Sequence, residues 1–544
     1  MLALKISDKF VDLPNDFAFT MNLKSPIFGD VGNYSYPFRI PATPRNATIL
    51  GFPHRVENTG DHFQDFPGSF EWNGITLFCG TAKLKAMNGK SYEGSIFDGS
   101  GDFYYQLKNR NLQQVDMGSK DFASEADGLF YLCQSSLNSY PAFPLACPHI
   151  VNNDYFDPPT DNEELKKYNF NYSTSPALNY FLLNTLNTYE RTIIVPMLYL
   201  RHVLEKLAQG LGYTLDDQMF SSHADFNRLV LYNSVSCNNG INDPLPREPE
   251  GYSPQHLIFN YHVPRLKIND FLKGLENYFG LALFVDSTTK TVRIIPLKNI
   301  VLNPEYVEFS RNIISVSVEK EETSAGYLLS MSLDEDDAFM ANQIGYEQDL
   351  ISRFAGSVKT IADLPQWPIG EILSVYYVEN INEYYEMSSG KVWQLSSMAS
   401  LFTKFLFRDG SEKIDSGFST IWLISQVGNK MTNYRKVTPR LMFTYNYTDP
   451  VTNRMYCQSS TDNFSLLYPG QTGLFNMHWK DFLNFRVGTK LVKIQKQMDF
   501  REIHDFDFSK KYMIGGTKYL VKSLQVTIKK DRIMPALLEC YVCQ

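Results

Sequence analysis

"VPRLKINDFLKGLENYFGLALFVD", Val263 to Asp286, carries the apolar spacing of a helix and then that of a buried strand. Ile268, Phe271, Leu272, Leu275 and Phe279 recur at helical intervals, which predicts one amphipathic face about four turns long. Pro264 stands before the helix, where a missing N–H costs least, and Gly280 stands at the left-handed cap position. An earlier stretch, "VPMLYLRHVLEKLAQGLGYTLDD" from Val195 to Asp217, repeats the arrangement at one fixed offset. There Leu200, Val203, Leu204, Leu207 and Leu211 take the core places, with Pro196 and Gly212 at the ends. Asn269 is placed to cap the second helix, whereas Arg201 at the matching place is a poorer cap. Strand-like "TIIVP" and "IFNYHVP" precede the two units, "YTL" and "LALFV" follow them, and "DSTTK" turns the chain into "TVRIIP". The pattern reads as a duplicated strand–helix–strand module, long enough for crossover connections. Chance recurrence of a common pattern is the competing reading.

Around this pair, 544 residues are enough for several domains, since one core rarely organises more than about 300 residues. Hydrophobic residues at 43% and charged residues at 20% describe an ordered globular chain. Thirty-nine Phe and 33 Tyr favour strands and large contact surfaces. A net charge of −8 disfavours a protein that grips nucleic-acid phosphates, and suits a surface that DNA slides past. Seven scattered cysteines read as reduced core thiols and not as a disulfide framework. The start, "MLALKISDKFVDLPNDF", has neither signal-peptide nor anchor character, and no apolar run reaches the roughly 18 residues of a transmembrane helix.

Residues 1–136 read mainly as strands. Asn73-Gly74 and Asn88-Gly89 separate alternating runs and predict a three-stranded meander with positive-φ turns. "GDFYYQLKNRNLQQVD" predicts a short helix across one face through Phe103, Leu107 and Leu112. Residues 137–176 are rich in Pro, Asn, Tyr and Asp without a clean period. They read either as an extended arm on a neighbouring subunit or as a packed irregular excursion. Beyond about 305 strands return, interrupted by "DEDD" (Asp334–Asp337) and "FRDGSEK" (Phe407–Lys413). "GLFNMHWKDFLNF" (Gly473–Phe485) predicts a short helix. "YMIGGTKYLVKSLQVTIKKD" predicts a hairpin turned at Gly515-Gly516, with Leu520, Leu524, Val526 and Ile528 on its buried face.

Chemistry is sparse. "NGKS" (Asn88–Ser91) lacks the earlier Gly of a phosphate loop and falls in a hairpin turn. "CYVC" (Cys540–Cys543) has no second pair or His cluster, so core thiols are the better reading. In "HDFDF" (His504–Phe508) a strand would put Asp505 and Asp507 on one face and His504 on the other, which assembles no metal site. "DEDD" reads as a solvated loop, with a cation site or a charged contact as the lesser reading. No catalytic, cofactor-binding or metal-ligating residue is assigned and no cofactor is expected, although a glycosidase can hide its two carboxylates without any motif.

Three segments in order resemble a known family: "FRIPATPRNATILGFPHRVEN" with the meander and "GDFYYQLKNRNLQQVD"; "INDFLKGLENYFGLALFVDSTTKTVRIIP"; and "GLFNMHWKDFLNFRVGTKLVKIQKQMDF" with the Gly515-Gly516 hairpin. They resemble tail proteins of bacteriophages or prophages of Bacteroides-like bacteria and, more distantly, baseplate hubs of tailed phages. The resemblance implies a trimeric tail-hub or tail-tip protein with tube-like β domains. Paired similar modules would then match a sixfold tube to a threefold tip. It implies tail-tube and other tail or baseplate partners, DNA only in transit, and a place in the virion tail after synthesis in the host cytoplasm, without membrane insertion. It brings no catalytic residues. The expected fold class is α+β, mainly β and multidomain, with antiparallel tube-like domains and two inserted modules. The expected division is 1–136 (β-rich), 137–190 (arm), 191–304 (duplicated modules), 305–440 (β-rich) and 441–544 (β domain). The alternative function is a peripheral receptor- or glycan-binding tail protein, with or without glycoside hydrolase activity.

Overall fold

The computed structural model describes residues 2–29, 35–55, 65–135, 195–233, 255–319, 404–408, 412–421, 438–447, 454–468 and 470–543. It also describes short pieces within 138–190, residues 235 and 237, residues 326–332, and pieces within 375–386. The chain is α+β and mainly β, built from several curled, largely antiparallel sheets. Most of the 137–176 segment, the "DEDD" loop and the middle of "FRDGSEK" lie outside the described residues.

The first sheet takes its strands from the N-terminal quarter. Its members are β1 (Leu2–Ile6), β2 (Lys9–Phe10), β4 (Ser35–Pro41), β5 (Asp65–Trp72), β6 (Ile75–Met87) and β7 (Ser91–Asp98). They run in the order β2-β1-β5-β6-β7-β4. The strand β3 (Ala18–Lys24) is not a member: it pairs with a strand near the C-terminus, while its Phe19 ring stacks on Phe70 of this sheet, centroids 3.9 Å apart. The predicted meander β5–β6–β7 is present. Asn73 and Gly74 turn at φ 51° and 82°, as a type I′ hairpin requires. The second turn departs from expectation, since neither Asn88 nor Gly89 has positive φ. The Asn88 carboxamide oxygen accepts from the N–H groups of Lys90 (2.9 Å) and Ser91 (2.8 Å), so an Asx turn replaces the backbone twist. Helix α1 (Gly99–Leu107) follows and buries Phe103, Tyr104 and Leu107.

The two similar units come next. Helix α2 (Leu200–Gly210) leads to β8 (Thr214–Asp216), and a short helix α3 (Gln218–Ser222) follows. Helix α4 (Ile268–Phe279) leads to β9 (Leu281–Asp286) and its hairpin partner β10 (Thr291–Pro296), then to α5 (Leu297–Leu302). The strand after each helix flanks β10 in a single three-stranded sheet, β8 parallel to it and β9 antiparallel. All five predicted core residues of α4 are buried, as are the first four of α2, while Leu211 is half-buried. Gly212 and Gly280 have φ of 74° and 57°, the left-handed stops expected of them.

Two details are corrected. "IFNYHVP" is not a strand throughout: His256–Ile258 is extended and Phe259–His262 is a 3-10 turn. Asn269 does not cap α4, whose N-cap is Lys267 with no side-chain bond. Its Nδ2 instead donates to the Tyr104 carbonyl at 3.4 Å, because α1 lies against that end of the helix.

The last sheet is assembled from β11 (Tyr306–Glu308), β12 (Ile313–Glu319), β13 (Leu491–Lys496), β14 (Lys511–Ile514), β15 (Thr517–Lys529) and β16 (Ala536–Cys543), in the order β11-β14-β15-β16-β13-β12, with β3 paired to β15. Its outermost strands, β11 and β12, are consecutive in sequence. Phe309 N–H donates to Met513 O beyond β11, and Asn312 O accepts from Gln497 N–H beyond β13. Three Cα steps span at most about 11 Å. Laid flat, six strands at ~4.8 Å spacing would separate those edges by about 24 Å. The sheet therefore curls until its two edge strands, β11 and β12, come close enough to be joined by the short turn Phe309–Asn312.

The predicted Gly515-Gly516 hairpin joins β14 to β15, with both φ values positive (57° and 82°). Leu520, Leu524, Val526 and Ile528 are all fully buried. A bulge between Val521 and Ser523 shifts the alternation between Leu520 and the other three.

The helix predicted at Gly473–Phe485 is present as one π turn (Phe475–Trp479) running into α6 (Lys480–Gly488). His478 lies among the rings of Phe226, Phe279 and Phe464, with centroids 5.9, 5.8 and 5.2 Å away, and burial pushes its pKa down to about 3. A neutral imidazole in an aromatic cluster is a core residue. Its neighbours tie α4 to segments near both 226 and 464.

Candidate functional site: an open sheet edge and a polar cleft

Cross-strand rows in the curled sheet run from the core outward. One row is Leu524, Leu538, Ile494 and Val316; the next is Val521, Cys540, Val492 and Val318. In the first row the inner three residues are fully buried, while Val316 is 51% exposed. In the second the inner three are at most 3% exposed and Val318 is 67% exposed. Pairing partners share a face, so the core face of the sheet continues onto β12 and is left in solvent there. Ile314, beside the irregularity between Ile313 and Ser315, is 53% exposed as well. Among the described residues no strand pairs with the outer edge of β12.

Native sheets normally blunt such edges. Here β2 is only two residues long and β4 carries Pro37 and Pro41. Strand β12 has neither protection. Its charge lies elsewhere: Glu319 pairs with Lys493 at 2.8 Å, and Lys493 reaches Glu539 at 3.7 Å.

A cleft of about 620 Å³ lies where α3, β10 and α5 meet β11 and the turn before β14. The Arg293 guanidinium projects from β10 and donates to Asp507 Oδ2 at 3.1 Å and to Ser509 Oγ at 3.5 Å. It also lies over the Phe284 ring, 5.4 Å from the centroid. Asp507 Oδ1 accepts from Ser509 N–H (2.9 Å) and Oγ–H (2.7 Å), so both carboxylate oxygens are engaged. Behind the cleft's lining, Lys511 Nζ donates to the carbonyls of Val301 (2.5 Å) and Asn303 (2.7 Å). That contact satisfies carbonyls at the end of α5. The side chain of Asn303 accepts from Glu305 N–H at 3.0 Å, an Asx turn that sets the entry to β11.

Two further polar clusters hold the helices. Arg201 bonds Glu205 (3.1 Å), Asp217 (2.8 Å) and Asn227 (2.9 Å), joining α2 to the segments that follow it. Tyr140 hydroxyl donates to Glu205, and burial raises the Tyr140 pKa. Burial also raises Asp217, against the pull of Arg201. On α4, Glu276 is only 11% exposed and pushed up to about 7 by burial. Lys273 at 3.6 Å and Tyr104 hydroxyl at 3.3 Å partly offset that rise.

"NGKS" is a hairpin turn between β6 and β7. Cys540 is buried and Cys543 half-buried, both free thiols in β16. "HDFDF" is not a strand, because a helix α7 (Phe500–His504) runs into it. Asp499 accepts from Glu502 N–H at 2.8 Å and Glu502 accepts from Asp499 N–H at 3.0 Å, a capping box that nucleates that turn. His504 and Asp505 contact each other at 2.9 Å, while Asp507 turns away to Arg293. Among the described residues no group of three or more His, Cys, Asp or Glu is placed to hold a metal ion. No described helix is long and apolar enough to cross a membrane. The cleft was not anticipated from sequence, nor was the open edge, although "IISVSVE" (Ile313–Glu319) has the alternation of a strand with one apolar face.

No protein-family model and no curated protein matches the chain. Among solved structures, it is similar to the 43 kDa tail protein of prophage MuSo2 from Shewanella oneidensis, at 6% identity and a TM-score of 0.33, over 99% of this chain and 95% of that one. It is also similar to the tail protein from Neisseria meningitidis MC58, at 8% identity and a TM-score of 0.30, over 99% and 95% respectively. Both TM-scores are too low to establish a shared fold.

Proposed function

We propose that the chain is a structural subunit of a bacteriophage or prophage tail, acting at the hub or tip. Copies associate around the tail axis, as a trimer on the family resemblance, and join the tube to the tip. The work is mechanical and electrostatic: holding, sealing and then presenting an acidic conduit to DNA in transit, with no bond chemistry of its own. The observation that carries this reading is the open edge of β12, where two buried apolar rows run out into solvent at Val316 and Val318. A face of that kind is stable once a neighbour covers it.

Sedimentation of the purified chain tests the reading. The wild type is expected to associate. The double variant Val316→Asp, Val318→Asp is expected to be monomeric, with a melting temperature within a few degrees of wild type because both positions are already exposed. A wild type that stays monomeric at high concentration speaks against it. An electron-microscopy map of the particle with this chain at the tail periphery overturns it.

A further inference from the structure

We propose that the cleft between β10, α5 and β11 is a binding site for a neutral oligosaccharide. The argument starts from charge. Arg293 and Lys510 are the cationic groups in its wall, and Glu305 and Asp507 the anionic ones, so the charges balance. A site for a polyanion or a metal ion would show a surplus of one sign.

What remains is amide, hydroxyl and hydrocarbon. Gln218, Asn299 and Asn303 offer side-chain amides, each both donor and acceptor, and Ser509 and Tyr306 offer hydroxyls. Leu302 is 60% exposed and Tyr306 50% exposed at the same rim, beside Val307 at 37%. A sugar ring presents this combination in complement: hydroxyl pairs at its edge and a C–H face that packs on apolar or aromatic surface.

Two of the polar groups are also held in place before any ligand arrives. Arg293 is fixed by Asp507, Ser509 and the Phe284 ring; Asn303 is fixed by Glu305 N–H. Such fixing reduces the ordering cost of binding. A volume of about 620 Å³ falls within the range of pockets that enclose small ligands. An extended peptide is the competing occupant, since β11 is an edge strand, but only three residues of it are available to pair.

Ligand-observed NMR on the full chain with chitotetraose and maltotetraose tests the proposal. Trigalacturonate serves as the acidic comparison and a pool of random dodecapeptides as the peptide comparison. At least one neutral tetrasaccharide is expected to bind, and Arg293→Gln and Asn299→Ala are each expected to weaken it by about tenfold or more. Asn299 is an exposed position on α5, so its variant keeps the test valid if the Arg293 variant folds poorly. Binding that is unchanged in a folded variant of either residue overturns the site, and no binding of either neutral probe overturns the ligand class. Preference for the trigalacturonate or for the peptides, with the same sensitivity to the variants, also overturns it. None of these outcomes depends on the tail assignment, which stands or falls on association and placement.

Discussion

The units α2–β8 and α4–β9 share a spacing and differ in what surrounds it. Phe279 ends the apolar face of α4 fully buried among rings, whereas its counterpart Leu211 in α2 is half-exposed. Strand β9 is buried at four successive positions; β8, at the edge of the same sheet, is mostly in solvent. Glu276 on α4 is a buried carboxyl, and the matching place on α2 is the buried Ala208. Equal periodicity thus yields equal helices, but the neighbours decide how much free energy each helix carries.

The largest expected effect breaks the pair at its last core position. Phe279→Ala should cost about 3–5 kcal/mol, because it empties a fully packed aromatic site. Leu211→Ala should cost about 1 kcal/mol, since half of that side chain is in water already. Urea midpoints of the two variants measure the gap, and equal shifts would mean that the two units are energetically interchangeable.

Next in size is a pH effect carried by Glu276 of the second unit, which has no carboxyl counterpart at Ala208. The folded chain holds the Glu276 proton up to about pH 7, against 4.5 for a free glutamic acid. Folding therefore takes up a proton between those values. Its stabilising contribution is complete below about pH 4.5 and is lost as pH rises through about 7, a swing of about 3 kcal/mol. Thermal melts across that window should show the loss in wild type and a flattened profile in Glu276→Gln. An unchanged slope in the variant assigns the titration to another group.

The smallest contrast is at the two glycine stops. Gly212→Ala should cost about 1 kcal/mol, the left-handed backbone penalty alone, because nothing lies within 4 Å of an added Cβ. Gly280→Ala should cost about 2 kcal/mol, since its Cβ would also meet the Trp479 ring at 3.3 Å. Urea midpoints resolve the two if they differ by the expected ~1 kcal/mol.

What could be read from sequence was local. Both helices, their glycine ends, the Asn73-Gly74 and Gly515-Gly516 hairpins and the helix near 480 rest on periodicity and turn chemistry within a few residues. The failures have local causes too. Asn88-Gly89 carries the dipeptide of a type I′ turn, but the Asn88 side chain satisfies the backbone first. "HDFDF" has the alternation of a strand, but Asp499 and Glu502, just upstream, have the spacing of a helix start and win.

The candidate site was largely illegible because its parts are remote in sequence. Arg293 meets a carboxylate near residue 507, and β3 near the N-terminus pairs with β15 near the C-terminus. No window of sequence holds both partners of either contact. The alternation in "IISVSVE" was visible, but its meaning depends on which strand becomes the edge.

The short turn Phe309–Asn312 links the two edges of the last sheet mechanically. The two edge strands are joined by those four residues, so a pull on β12 reaches β11 through the backbone within that turn. Load on one edge is therefore passed along the backbone to the other edge instead of being borne by one ladder of hydrogen bonds alone.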